Sequence, residues 1–470
     1  MASCKKVCVI GAGLSGLAAA RELRREGLDA TVLEQRGGVG GQWLYDTAID
    51  GGDPLGVAGV HSSMYASLRL ITPREVMGFS DFPFRPGNDG SGDGEVDARR
   101  FPGHAEFLRY IRDFCNAFGL MDAVRLNTKV MRVAMAPPCD GSPRWTVRSR
   151  HDEVEMEEVF DAVVVASGHF CQPRLPTIDG MDKWRRRQLH CHSYRVPDTF
   201  HGEVVVIVGC NISGKDIGLE LRRVAKEVHL SAKSTEEAMT PAMSKILARY
   251  DNLHLHPQIE HLCEDGTVVF VDGTCVVADT VVYCTGYTYS YPFLETGGKV
   301  TVDDNRVGPL FDHVFPPELA PSLSFVGIPD RVVVPRFNEV QARWVAQVLS
   351  GRRTLPSPEE MVRAVEEYNR AREAAGVAKR RTHDILDLEY CDEYGERNCG
   401  FPLLESWKKE LMWSSYFTMR DNVETFRDNY HDSDLVGDGL RLHGWIPPAT
   451  QPQQEDDLAT SQWKFLRKRS

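Results

Sequence analysis

Val7-Cys8-Val9-Ile10-Gly11-Ala12-Gly13-Leu14-Ser15-Gly16 carries a short, β-branched apolar run straight into a glycine turn. Such a run reads as a buried parallel strand. In the turn, Gly11 permits the tight bend, Gly13 lets backbone approach a pyrophosphate, and Gly16 lets the next helix close on the strand. Residues 17–27 have a helical pattern whose positive N-terminal end faces the phosphates. Residues 30–33 read as the following strand and run into Glu34. That acid lies about 20 residues past Gly11, the spacing of a carboxylate that holds ribose hydroxyls. Gln35 follows, and then Gly37-Gly-Val-Gly-Gly41-Gln42-Trp43, glycine-rich enough for backbone to lie against a bulky ligand. An ordinary glycine turn explains the bend. It does not explain strand, helix, second strand and acid in register.

The pattern returns at mid-chain. Val204-Val-Val-Ile-Val208 runs into Gly209-Cys210-Asn211-Ile212-Ser213-Gly214. Asn211 replaces the middle glycine, and asparagine tolerates left-handed backbone, so the turn survives by this reading. Residues 216–224 continue as a helix and 227–230 as a strand, ending in Ser231-Ala-Lys233 rather than an acid. A hydroxyl and a cation suit a ribose phosphate, which favours NADPH over NADH; a merely solvated Lys233 is the competing reading. Two further runs, Phe160-Asp-Ala-Val-Val-Val-Ala-Ser-Gly168 and Asp279-Thr-Val-Val-Tyr-Cys-Thr285-Gly286, each end in small residues and glycine. One precedes and one follows the second unit, as an inserted domain requires. Two such units imply two dinucleotides held together, most often for electron delivery from a nicotinamide to a flavin.

At 470 residues the chain has room for two or three domains. A net charge of −12 argues against general nucleic-acid binding. No apolar run reaches bilayer length, and the first strand starts too early for a signal peptide, so a cytoplasmic protein without a membrane anchor is expected. The 12 cysteines contain no C-x-x-C pair, consistent with reduced thiols and against a dithiol reductase. His190-Cys191-His192 places two histidines on one face, but no further ligand pair stands nearby at metal spacing, so no metal is expected. Residues 88–94 read as a loop, 101–118 as a helix and 264–274 as a hairpin. Residues 359–375 and 405–419 read as helices. The segment 447–457 and the basic end at 463–470 read as a tail.

Trp184-Arg-Arg186-Arg-Gln-Leu-His190-Cys-His-Ser-Tyr194 resembles the identifying motif of flavin-containing monooxygenases, F-x-G-x-x-x-H-x-x-x-[YF]. His190 and Tyr194 match; Trp184 stands for the phenylalanine and Arg186 for the glycine. Alone it is equally a basic, aromatic linker, and its place just before the second glycine unit carries the resemblance. Cys284-Thr-Gly-Tyr287 is similar to the family's A-T-G-Y box, and residues 67–83 and 340–344 to its flavin-facing segments. The likeness covers roughly residues 4–435 and is nearest to the plant S-oxygenating members.

The resemblance implies an α/β fold of two Rossmann-like domains: an FAD domain at 1–170, an inserted NADPH domain at 171–284, the remaining FAD domain with a helical extension at 285–445, and a flexible tail at 446–470. It implies FAD, NADPH and O2, with a C4a-hydroperoxyflavin oxygenating the sulfur of a small thioether. N-hydroxylation of an amine, or a nucleotide-binding protein without turnover, are the alternatives. Where many members carry a flavin-side asparagine, this chain has Ile71, leaving Thr72 or bound NADP to take its part. The flavin carries the chemistry, so no acid–base triad is required, and His190 and Tyr194 read as structural linker residues. The sequence leaves the exact substrate and oligomeric state open.

Overall fold

In the computed structural model, residues 4–47, 52–57, 62–87, 96–137 and 143–447 are described. The loop expected at 88–94 and the tail expected beyond Pro447 lie outside them. Two five-stranded parallel sheets dominate. The first runs in the order Leu323–Phe325, Ala162–Val165, Lys6–Ile10, Asp29–Leu33, Val124–Arg125. The second runs Arg187–His190, Thr280–Tyr283, Val204–Val208, Glu227–Ser231, Leu253–His256. In both, the strand before the glycine turn is central, flanked on one side by the strand that follows its helix. The chain leaves the first sheet after Ala162–Val165, builds the second, and returns with Leu323–Phe325.

Side-chain alternation explains how each sheet is covered. Val7 and Val9 enter a core with helices Leu14–Arg25, His104–Ala117 and Val334–Ser350. Cys8 and Ile10 face a second core that includes Val133, Trp145 and Val147 from the four-stranded sheet built on Thr128–Met135, Trp145–His151 and Val154–Phe160. The second sheet repeats the scheme. Val205 and Ile207 pack with helix Ile212–Leu221, while Val206 faces the three-stranded antiparallel sheet of Ile259–Leu262, Thr267–Phe270 and Cys275–Val277. Of the hairpin expected at 264–274, Thr267–Phe270 is the first strand and 271–274 the turn, while the second strand, Cys275–Val277, lies just beyond those bounds. Each buried Val or Ile of the central strands contributes about 1.5–3 kcal/mol, so both sheets are specified by period-2 apolar burial on two faces.

Beyond residue 350, helices Pro358–Ala374, Leu388–Cys399, Ser406–Asp421 and Asp434–Leu442 form the expected helical extension. Ser357 and Glu360 make a reciprocal capping box at the first of them. His313 and His383, both buried, meet Nδ1 to Nδ1 at 2.9 Å, and the Val307 amide donates to His383 Nε2 at 3.0 Å. His383 therefore carries its proton on Nδ1 and gives it to His313. Deeper in the first core, Arg21 donates to Glu339 at 2.6 Å and Asp81 at 2.8 Å, and Ser80 donates to Glu339 through both its amide and hydroxyl.

Two local expectations need correction. Helices Leu14–Arg25 and Ile212–Leu221 begin inside the glycine turns, earlier than the expected starts at 17 and 216. Asn211 is extended, with φ −96° and ψ −164°, close to the −80° and −172° of Gly13. Its position demands no left-handed backbone, and any residue satisfies it. The positive φ belongs to Gly11 (+103°) and Gly209 (+108°).

Candidate functional site

The two glycine turns are built by the same contacts. A Cβ on Gly16 would lie 1.8 Å from the Gly11 carbonyl oxygen, and one on Gly214 would lie 1.9 Å from that of Gly209. A Cβ on Gly11 would meet the Ala166 carbonyl at 2.6 Å, and one on Gly209 the Cys284 carbonyl at 2.4 Å. Gly11, Gly16 and Ala166 thus correspond to Gly209, Gly214 and Cys284. The small-residue ends of Ala162–Val165 and Thr280–Tyr283 serve as floors for the two turns, which is why alanine and cysteine follow them.

Around the first turn, Glu34 is only 5% exposed and accepts from the amides of Ala12 and Arg36, each at 2.8 Å. Burial pushes its carboxyl above the ordinary value, with those amides pulling the other way. Each carboxylate oxygen keeps a lone pair for a ribose hydroxyl. Gln35 beside it is exposed. The Gly40 amide donates to the Ala12 carbonyl at 3.0 Å, and a Cβ on Gly41 would fall 2.9 Å from the Gly13 Cα. The glycine-rich turn expected to contact ligand therefore lies directly on the fingerprint, continuing into half-buried Gln42 and Trp43, whose ring meets Phe107 edge-on at 4.6 Å. Leu14 is buried, and the Ser15 hydroxyl accepts from Asn338 at 3.0 Å.

At the second turn, Ile212, Ser213 and Asn211 are exposed and Cys210 half-buried. Ser231 is buried and its hydroxyl donates to the Pro257 carbonyl at 2.8 Å, whereas Lys233 is exposed. Thr285 donates to the Arg174 carbonyl, and Gly286 is exposed. The structure also tests whether these turns fit dinucleotides. Neither Gly13 nor Asn211 caps its helix with a side chain, as is also true of helices His104–Ala117, Val334–Ser350 and Ser406–Asp421, whereas Thr240, Ser357, Asp387 and Ser433 cap theirs. Uncapped helix N-termini retain amide donors and positive dipole ends suited to phosphate. The Ser167 hydroxyl, one residue past the floor of the first turn, is buried without a hydrogen-bond partner. Both observations fit bound dinucleotides.

The motif residues join these parts. His190 is fully buried; its Nε2 donates to the Gly286 carbonyl at 3.1 Å and its Nδ1 accepts from the His192 amide at 3.3 Å. Tyr194 donates to Glu220 of the cradle helix at 2.6 Å and packs edge-on against Tyr65. Trp184 is buried in the core shared with Val206 and Phe270. Arg186 donates to the Ala278 and Asp265 carbonyls, each at 2.8 Å, with its guanidinium over Gly266. Arg195 donates to the carbonyls of Asp46 and Ser62, binding the motif to the first half of the chain. Cys284 hydrogen-bonds Cys191, which together with burial pushes the Cys284 thiol well up.

A further set was missed by sequence reading. Arg427 donates to Asp216 of the second cradle helix at 2.6 and 3.3 Å, and to the Leu70 carbonyl at 3.0 Å. Glu424 accepts from Arg222, Arg249 and Tyr250, and Asp428 accepts from Arg69 at 2.8 and 2.9 Å. The segment past helix Ser406–Asp421 thus straps residues 69–72 to the second sheet's elements. On that segment Ile71 is 39% exposed and Thr72 half-buried. Charge periodicity within residues 422–430 gives no sign of such distant partners.

Comparison with known proteins gives consistent results. The chain matches the flavin-binding monooxygenase-like family over residues 4–246 and 244–402. It is 53% identical over 449 residues to flavin-containing monooxygenase FMO GS-OX-like 9 of Arabidopsis thaliana, covering 93% of this chain and 95% of that one. GS-OX-like 8 of the same plant is 54% identical over 447 residues, with the same coverage. The solved structure of S-allyl-L-cysteine S-oxygenase from Allium sativum superposes with a TM-score of 0.86 at 43% identity, covering 94% of this chain and 99% of that chain.

Proposed function

The chain belongs to the flavin-binding monooxygenase-like family, and from that premise we propose that it uses FAD, NADPH and O2 to oxygenate the sulfur of a small thioether. The balance is thioether, O2, NADPH and a proton giving sulfoxide, water and NADP⁺. When bound, FAD supplies the redox and oxygen chemistry, with NADPH as reductant. The observation that carries this reading is the doubled cradle, with matching carbonyl-on-glycine contacts at Gly16 and Gly214.

The chain's own residues hold and shield. Gly11, Ala12, Gly13, Leu14, Ser15 and Gly16 present amides and a helix end to the flavin coenzyme's phosphates, and Glu34 accepts from its ribose. Gln35, Gly41, Gln42 and Trp43 extend that wall. Gly209, Cys210, Asn211, Ile212, Ser213 and Gly214 do the same for NADPH, with Lys233 the cation for its extra phosphate and Ser231 behind it. Thr285 and Gly286 form the turn between the two, held by His190. Thr72, which follows Ile71 in the chain and is half-buried, or bound NADP takes the part of the family's asparagine. The NADPH module is assigned to 171–284, inserted in an FAD module of 1–170 and 285–445.

Sulfur is favoured as target because the 43%-identical Allium protein is named an S-oxygenase of S-allyl-L-cysteine. Among the described residues no helix is long and apolar enough to cross a membrane. A cytoplasmic location completes the reading and accords with the cysteines among the described residues all being free. The test is FAD-loaded protein with NADPH, labelled O2, S-allyl-L-cysteine and a primary amine, analysed by mass. One labelled oxygen in a sulfoxide is expected. A labelled hydroxylamine or oxime instead moves the target to nitrogen, and yellow protein that never consumes NADPH refutes the activity.

A further inference from the structure

Glu227 and His229 alternate along one strand of the second sheet, and His254 and His256 along its neighbour. The strands are parallel, with His229 opposite His254 and Ser231 opposite His256. Period-2 alternation puts all four side chains on one face, away from Val228, Leu230 and Leu253, which enter the core with helix Ile212–Leu221. On that face His256 lies flat on Phe270, with ring centres 4.2 Å apart and 10° between planes. This cluster takes no part in either cradle.

One ligand atom each from Glu227, His229 and His254 lies within 4.8 Å of the other two. His229 Nε2 is 3.3 Å from Glu227 Oε2, and its Nδ1 is 3.0 Å from His256 Nε2. Two ligands on a tetrahedral zinc stand about 3.3 Å apart, given Zn–N and Zn–O bonds of about 2.0–2.1 Å. His229 and Glu227 already have that separation. The His229 and His254 rings stack with centres 4.6 Å apart, so rotation of the half-buried His254 ring completes the set. Among the described residues, His254 makes ring contacts and no side-chain hydrogen bond. Lys226 pairs with Glu227 through the other carboxylate oxygen, at 3.8 Å.

We propose that Glu227, His229 and His254 form a zinc-class metal site on the edge of the second sheet, with His256 as the orienting partner of His229. Without metal, protons run from His256 to His229 to Glu227. The ion takes the place of the proton on His229 Nε2; the His256 Nε2 proton passes to His229 Nδ1 and solvent returns the displaced proton to His256 Nδ1, so both rings stay neutral. His229 then donates from Nδ1 to His256, the outer-sphere support that metal-bound imidazoles ordinarily have. Water fills the fourth position.

The experiment uses the full, FAD-loaded chain after removal of metal with chelator. Titration with Zn²⁺ by calorimetry is expected to give one site and a raised melting temperature, and Co²⁺ to give weak visible bands without a near-ultraviolet thiolate band. His254→Ala and Glu227→Gln are expected to weaken Zn²⁺ by about a hundredfold or more, and His256→Ala by about 10- to 100-fold, all with flavin content unchanged. Absence of binding, affinity untouched in His254→Ala and Glu227→Gln, or a thiolate band that locates the ion on cysteine would each overturn the proposal.

Discussion

Replacing Arg427 with alanine tests whether the C-terminal strap sets the geometry between the cradles. The guanidinium makes two bonds to Asp216 and one to the Leu70 carbonyl, and the paired side chains are 13% and 16% exposed. An exposed pair is worth about 0–1 kcal/mol, and breaking a fully buried one costs about 3–5 kcal/mol. This pair lies between, so loss of Arg427 is set at about 2–3 kcal/mol, roughly a 30- to 150-fold change in an equilibrium constant. Among the described residues, Asp216 would keep the long contact from Tyr65, at 3.5 Å, as its one side-chain hydrogen bond. Because the bonds run to the second cradle helix and to residue 70, the expected result is a KM for NADPH raised at least tenfold. Flavin content should stay at the wild-type ratio. NADPH oxidation and flavin absorbance measure both, and a cycle with Asp216→Asn should show strong non-additivity. An unchanged KM together with an unchanged melting temperature would show that the strap carries no energy.

Gly16→Ala and Gly214→Ala separate the two cradles. Overpacking against backbone at 1.8 and 1.9 Å costs at least about 1–3 kcal/mol; the first variant should purify colourless, and the second should remain yellow but oxidise NADPH roughly a hundredfold less efficiently. Two yellow, active proteins would refute the assignment. Glu339→Ala removes one of three carboxylates around Arg21, leaving Glu22 and Asp81, and should destabilise the protein by about 1–3 kcal/mol in urea titration, with Glu339→Gln milder. Burial, aided by Arg372, pushes His313 down to about 4, and burial with His313 alongside holds His383 well below its ordinary value. Their stabilisation is therefore complete above about pH 6.5 and is lost as pH falls toward 4, by up to about 1.4 kcal/mol per pH unit for each histidine. His313→Gln should flatten the fall in denaturation midpoint between pH 6.5 and 4.5. A wild-type-minus-variant difference that does not change with pH would count against the buried pair.

The sheets were legible because their strands announce themselves twice: by apolar alternation, and by the glycines that must follow. The spacing that singles out Glu34 does bring it to the first turn, where it accepts from the Ala12 amide. The helix starts were misjudged because Leu14 and Ile212 look like turn residues in sequence, whereas the turn is itself the first helical turn. Asn211 was given a conformational duty that Gly209 performs. The strap of Arg427, Glu424 and Asp428 was invisible because nothing local marks a charge whose partner lies hundreds of residues earlier. Glu227-x-His229 and His254-x-His256 each carry strand alternation, but only strand pairing brings them onto one face.

The mirrored carbonyl-on-glycine contacts have a corollary for coenzyme selectivity. The glycines that make these contacts have no freedom to diverge, so under the proposed assignment they do not distinguish one adenine dinucleotide from the other. Under the proposed assignment, discrimination falls to the tip of the following strand, to Glu34-Gln35 in one half and to exposed Lys233 in the other. On that assignment, re-engineering this enzyme toward the unphosphorylated reductant starts at Lys233, and the four contacting glycines are best left alone.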